Sequence, residues 1–163
     1  MTQYAKAFFD TWKVDAITCN PLMGHDVYKP LLAFEDKFFF SLALTSNPTS
    51  MDYLKPMDLY KRISEKLAEL PMQQAGAVVG GTNIEELSDL RAIMPNTLFL
   101  VPGIGAQGGS VEAVVKHASA KPEDLRILIN SSRGIIFKDS SETFAETAGK
   151  ETDKLRQEIN SYI

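Results

Sequence analysis

Two glycine-rich stretches carry the residue types that could hold an anion. The first, LVPGIGAQGG at residues 100–109, arranges Pro102, Gly103, Gly105, Gly108 and Gly109 around one amide side chain, Gln107. A backbone without Cβ atoms approaches an anion closely, and Ser110 just beyond can cap a helix whose first N–H groups point at the ligand. The second, NSSRGI at residues 130–135, follows the next apolar run and sets Arg133 beside Gly134. A guanidinium forks onto two phosphate oxygens, and the adjacent glycine lets a main-chain N–H reach the same group. Either stretch alone is a weak signal, since such turns also serve packing and a lone arginine is usually a solvated charge. Two of them at the ends of consecutive strands are harder to explain by packing.

The elements that must position these loops read as alternating strands and helices. Residues 3–12 carry Tyr4, Ala7, Phe8 and Trp12 at helical spacing, a stripe expected to face the core. Residues 14–19 read as a buried strand ended by Asn20-Pro21, and Asp26 is placed to cap a short helix running to Phe34. KFFFSLAL at residues 37–44 is a nearly continuous apolar run, as expected for a strand covered on both faces of a parallel sheet. It ends in Thr45-Ser46-Asn47-Pro48, ahead of a helix predicted over residues 55–70. The pattern continues with a strand at 75–80, a helix at 84–94 capped by Asn83, a strand at 97–101 and a helix at 110–118. A strand at 125–130 and a long amphipathic helix at 140–160 complete it, with Phe144, Ala148, Leu155 and Ile159 facing inward.

Composition bounds the function classes. The 163 residues are 44% hydrophobic and 23% charged with a net charge of -4, an ordinary globular composition sized for one domain over residues 1–163. No basic run exists, which argues against nucleic acid or an anionic membrane as partner. Cys19 is the only cysteine, so no intrachain disulfide or cysteine-built metal site can form, and a reducing compartment fits. The N-terminal segment has no long apolar run, so neither a signal peptide nor a membrane span is expected there and the protein reads as cytoplasmic. His25 and His117 have no partner motif and read as solvated.

Five βα units demand a mostly parallel sheet with right-handed crossovers, either doubly wound or a barrel. Polar or glycine-rich motifs follow all five strands, whereas a doubly wound sheet needs them only at its switch point. That distribution favours a TIM-type (β/α)8 barrel of which this chain supplies about five units, leaving two open sheet edges.

With these motifs in view, the chain resembles the C-terminal part of the orotidine 5'-monophosphate decarboxylase family, in its longer bacterial subgroup. The segments that carry the resemblance are DAITCNPLMG at 15–24, LTSNP at 44–48, VVGGT at 78–82, VPGIGAQGG at 101–109 and NSSRGI at 130–135, in the family's order. The resemblance implies that Ser46 hydrogen-bonds the pyrimidine amide edge and that Gln107 reaches both phosphate and base. It further implies that Pro102, Gly103 and Gly105 shape the closing loop, that Arg133 and Gly134 bind the phosphate, and that Asn20 faces the same site. Orotidine or uridine monophosphate is the implied ligand and a homodimer the implied assembly, with no metal or organic cofactor.

The departure from the family is as informative as the match. Its catalytic signature, D-x-K-x-x-D after the third barrel strand, has no counterpart among the 163 residues. Asp52-Tyr53-Leu54-Lys55 follows LTSNP, the wrong place, and reads as a decoy, so no residue of this chain is assigned a catalytic role. The first three barrel strands are absent too, which reads as a fragment expected to be inactive alone. Two other readings stand beside the decarboxylase: a non-enzymatic half-barrel that binds a nucleotide phosphate or pairs its open edges with another chain, and a related sugar-phosphate decarboxylase, which the combination of LTSNP with GAQGG disfavours.

Overall fold

The computed structural model of the chain describes residues 1–105, 108–121 and 124–163. Its strands are β1 (Ala16–Cys19), β2 (Phe38–Leu44), β3 (Ala75–Val79), β4 (Leu98–Val101) and β5 (Ile127–Ile129). The helices are α1 (Thr2–Ala5), α2 (Lys29–Leu32), α3 (Leu59–Ala68), α4 (Ile84–Ile93), α5 (Val111–Ala118), α6 (Arg133–Ile136) and α7 (Phe144–Asn160), with short 3-10 and π turns between some of them.

All five strands lie in one sheet in the order β1-β2-β3-β4-β5, and every pairing is parallel. This order bears out the barrel that the loop motifs favour over a doubly wound sheet. A doubly wound sheet reverses its strand order at a switch point and places helices on both faces, whereas sequential order with right-handed crossovers keeps them on one face. The chain is therefore a five-strand segment of a barrel, with β1 and β5 as the strands at its ends.

The core sits between the helices and the outer sheet face. Phe39, Ala77, Val79, Phe99 and Val101 pack there against Leu31, Leu67, Leu87, Leu90 and Val114. Between β1, β2 and the segment before α2, the Tyr28 hydroxyl and Ser41 Oγ share a 2.8 Å hydrogen bond. Burial lifts the Cys19 thiol to about 11 despite a hydrogen bond with Ser41, so Cys19 is an inert core residue, as its place in an apolar strand suggests. On the opposite, concave face Leu128 is exposed, and Phe38, Leu98 and Leu100 are only half-buried. The ring of Phe40 there lies over Gly76, where a Cβ would come within 2.7 Å of it.

Several element boundaries and faces differ from the sequence expectation, each for a local reason. The N-terminal segment passes from α1 into a π turn at Lys6–Thr11, and its wider pitch rotates the buried face onto Ala5 and Phe9. Tyr4 and Trp12 are consequently exposed and form an aromatic ladder through Phe8, with centroids 4.6 and 4.9 Å apart. Val14 closes that turn by donating to Phe8 O, and β1 starts only at Ala16. Asp26 caps nothing; Gly24 precedes a 3-10 turn in which Asp26 lies, and the α-helix there is only Lys29–Leu32. Pro56, followed by left-handed Met57 and Asp58, delays α3 to Leu59. α7 begins at Phe144, which is exposed; its inward side is Leu155 and Ile159. The preceding turn is organised by Asp139, whose carboxylate accepts from Ser141 N–H, Ser141 Oγ, Thr143 Oγ1 and Thr147 Oγ1 and is held down at about 2 by those bonds.

At the opposite end of the sheet from the glycine-rich loops, Arg91 is buried and, among the described residues, forms no ion pair with a carboxylate. Its guanidinium donates to Ala118 O at 2.7 Å, Met94 O at 2.9 Å, Thr97 O at 2.7 Å and Arg126 O at 3.1 Å, and stacks 3.6 Å from the Phe99 ring centroid. One side chain thus ties the ends of α4 and α5 to the chain entering β4 and β5, at the cost of a guanidinium pushed down to about 10, mainly by burial. Arg91→Ala leaves four inward carbonyls without a donor and should destabilise the fold by about 3–5 kcal/mol, read as a shift of the urea midpoint. An unchanged midpoint would contradict this role.

Candidate functional site

In a parallel sheet every strand ends at the same rim, so the loops after β1 to β5 share one edge of the molecule. Close backbone approaches then draw neighbouring loops together. Gly80 N donates to Leu44 O at 2.7 Å, and a Cβ built on Gly80 would lie 2.6 Å from Ser46 Cα and N. Only glycine lets the end of β3 touch the Ser46 loop. One step on, Gly81 N donates to Pro102 O at 2.8 Å, which ties the same turn to the loop after β4. Asn130 N then donates to Val101 O at 3.0 Å, and Ser131 Oγ to Ile104 O at 3.3 Å, bringing in the loop after β5.

The loop after β4 turns through three glycines at positive φ, Gly103 at 99°, Gly105 at 82° and Gly108 at 85°, a backbone that side-chain-bearing residues rarely adopt. Ser110 follows as the cap of α5, accepting from Ala113 N at 3.3 Å as expected from the sequence. Gly105, Ser131, Arg133 and Gly134 line a cavity of about 430 Å³ together with Lys138 and Lys154 of the α6–α7 segment. Pro102, Gly103 and Arg133 also line a smaller adjoining recess of about 220 Å³. Arg133 is exposed at this opening, available to an incoming ligand.

The structure thus gathers Pro102, Gly103, Gly105, Arg133 and Gly134 at one place. Ser46 stands two strands from the β4 loop, half-buried at the end of β2 and joined to the others through Gly80 and Gly81. Asn20 is farther away still. Its side-chain oxygen accepts from Leu22 N at 2.9 Å, so it shapes its own turn, and it lines a separate apolar cavity of about 260 Å³ with Leu42, Thr45, Asn47 and Tyr53. Gln107 lies outside the described residues.

Sequence reasoning passed over Ser131, Lys138 and Lys154 as members of this group. The serine could have been suspected from its place beside Arg133, but the lysines reach the cavity only through packing of α7. The Asp52–Lys55 decoy has a structural explanation: Lys55 Nζ is paired with Glu86 on α4. His117 is not simply solvated, since its Nδ1 shares a 2.9 Å hydrogen bond with Ser88 Oγ, while His25 is exposed with its ring edge-on to Tyr28. Among the described residues no group of three or more His, Cys, Asp or Glu is placed to hold a metal, and no helix is long and apolar enough to cross a membrane.

Fold and loops together define a segment of a (β/α)8 barrel whose strand-end rim carries the candidate site. Comparison with known proteins narrows that class. The Orotidine 5'-phosphate decarboxylase / HUMPS family profile matches residues 1–148. Over 167 residues the chain is 40% identical to the orotidine 5'-phosphate decarboxylase of Flavobacterium johnsoniae, covering 99% of this chain and 60% of that one. It is 42% identical over 165 residues to the enzyme of the same name from Christiangramia forsetii, covering 98% and 60%. A solved structure of Leishmania donovani UMP synthase superposes with a TM-score of 0.84 at 32% identity, over 99% of this chain and 36% of that one. The chain therefore belongs to the orotidine 5'-phosphate decarboxylase family, and it spans about 60% of the length of the curated relatives it matches.

The close approach at Gly80 gives a direct test of how the rim is built. Gly80→Ala forces the Ser46 backbone away or strains both loops, and should lower stability by about 1–3 kcal/mol, measured by chemical denaturation. A neutral substitution would show that the two loops are not in contact.

Proposed function

We propose that this chain is the C-terminal portion of a barrel domain of orotidine 5'-phosphate decarboxylase, supplying the phosphate- and pyrimidine-binding loops for conversion of orotidine monophosphate to uridine monophosphate and carbon dioxide in de novo pyrimidine biosynthesis. The observation that carries this reading is the meeting of the β4 and β5 loops at one cavity with Arg133 at its mouth, in a chain about 40% identical to curated decarboxylases. Strands about 4.8 Å apart put the end of β2 roughly 14 Å across the sheet from the end of β5. A ligand with a phosphate at Arg133 and Gly134 and a base edge at Ser46 spans such a distance. Gln107, on the loop between them, is assigned contacts to both ends of the ligand, and Pro102, Gly103 and Gly105 the shape of that loop.

In this reading the chain contributes binding energy at a distance from the reacting carbon. Contacts to a remote phosphate accelerate a reaction when they hold the substrate against groups that favour only the transition state. Those groups, the D-x-K-x-x-D carboxylates and lysine, are not among these 163 residues, and Lys55, engaged by Glu86, does not replace the lysine. The resemblance calls for no metal or organic cofactor. A cytoplasmic location and a homodimer are assigned on the same basis, with β1 and β5 as the edges through which complementary strands would pair. Asn20 is assigned a place at the rim of the base side.

Two outcomes are expected. The 163-residue chain alone should not decarboxylate orotidine monophosphate above background in an absorbance assay, and measured turnover would overturn the assignment of the catalytic groups to another segment. Calorimetry should show uridine monophosphate bound through its phosphate. Arg133→Ala should weaken it ten- to hundredfold, for a charge-assisted contact of about 1.5–3 kcal/mol, and Gln107→Ala about fivefold. Equal binding of uridine and uridine monophosphate would remove the phosphate site.

A further inference from the structure

The first turn of α4 grips the loop that follows β2, and we infer that this grip, through Asn83, positions Ser46 and so sets the selectivity of the site for a pyrimidine base. The inference rests on the base-reading role of Ser46 proposed above. Asn83 occupies the N-cap position of α4, yet its side chain makes no capping bond. Its amide instead reaches across to the neighbouring strand end and donates to Thr45 O at 3.1 Å and, at 3.5 Å, to Gly80 O. The adjacent Thr82 Oγ1 donates to Ser46 O at 3.2 Å.

These two acceptors lie on the two peptide planes that flank the Ser46 Cα. Because a planar peptide leaves only φ and ψ free at each residue, anchoring both planes fixes both angles of Ser46 and therefore the direction of its Cα–Cβ bond. Only the side-chain rotamer remains free to choose. The far end of the same loop is held too, since Lys55 pairs with Glu86, three residues beyond Asn83 and on the same side of the helix. Within the loop, Thr45 Oγ1 donates to Asn47 Oδ1 at 2.7 Å and Asn47 Nδ2 to Thr49 Oγ1 at 2.9 Å, so the chain around Ser46 is supported from inside as well. Asparagine at position 83 has given up the usual N-cap bond for this contact, which marks it as a positioning residue for Ser46.

A helix cap and a positioning donor respond in opposite ways to one substitution. Aspartate and serine both favour N-cap positions, but neither can give Thr45 O the amide hydrogen it receives from Asn83. The test measures binding of uridine monophosphate and of ribose 5-phosphate, which has the phosphate but no base, to the full 163-residue chain and to Asn83→Asp and Asn83→Ser. Wild type should prefer uridine monophosphate. Each variant should lose about three- to tenfold of that preference through weaker uridine monophosphate binding, with ribose 5-phosphate affinity and thermal midpoint unchanged. Variants that keep the wild-type preference overturn the inference alone. A wild type that binds both ligands equally overturns the base-reading role of Ser46 and this inference with it, and loss of folding in both variants assigns Asn83 to stability and overturns it as well.

Discussion

The constraint on which the rest of this structure depends is that five parallel strands follow one another across the sheet in chain order. Parallel neighbours need crossovers of one hand, so the helices are laid on one face and each strand's following loop is delivered to one rim. Residues as far apart in sequence as Ser46 and Arg133 come to lie along one edge without any long-range contact of their own. The short steps between loops are then closed by the backbone, at Gly80, Gly81 and Asn130, where main-chain donors meet the carbonyl of the adjoining strand or loop.

The two ends of the sheet divide the work. At the end where strands begin, Arg91 satisfies four carbonyls from three segments and covers Phe99. At the other end the loops carry glycines, hydroxyls and amides whose bonds run from one loop to the next and are partly exposed, around cavities open to solvent. Stability concentrated below leaves the upper loops free to be shaped for a ligand, the usual arrangement in barrels of this kind.

Much of the fold was legible because the signals were periodic and local. β2 and β3 are apolar runs of strand length, and Ser110 before an apolar helical pattern is a cap in the structure as in the sequence. The five motifs, read together, were enough to identify the family. The misreadings came where one residue's local chemistry had two outlets. Asn83 and Asp26 are both good capping residues, yet one bonds across to Thr45 and the other sits inside a 3-10 turn after Gly24. Tyr4, Phe8 and Trp12 do stack on one another, but the π turn leaves Tyr4 and Trp12 exposed and Phe8 half-buried while Phe9 takes the core.

By itself the sequence determined the order and type of the elements, the glycine-rich turns and the family, because hydrophobic period, turn chemistry and motif spacing are written in neighbouring residues. The sequence favoured a barrel segment through its loop motifs, and the tertiary structure established the strand order, which depends on which strands pair and which βα alternation alone does not encode. The tertiary structure alone decided that Lys55 is held by Glu86, that Lys138 and Lys154 reach the cavity of Arg133, and that Asn83 serves the neighbouring loop. Lys55 and Glu86 lie 31 positions apart along the chain and Asn83 and Thr45 38, and nothing local to either residue of a pair encodes the pairing.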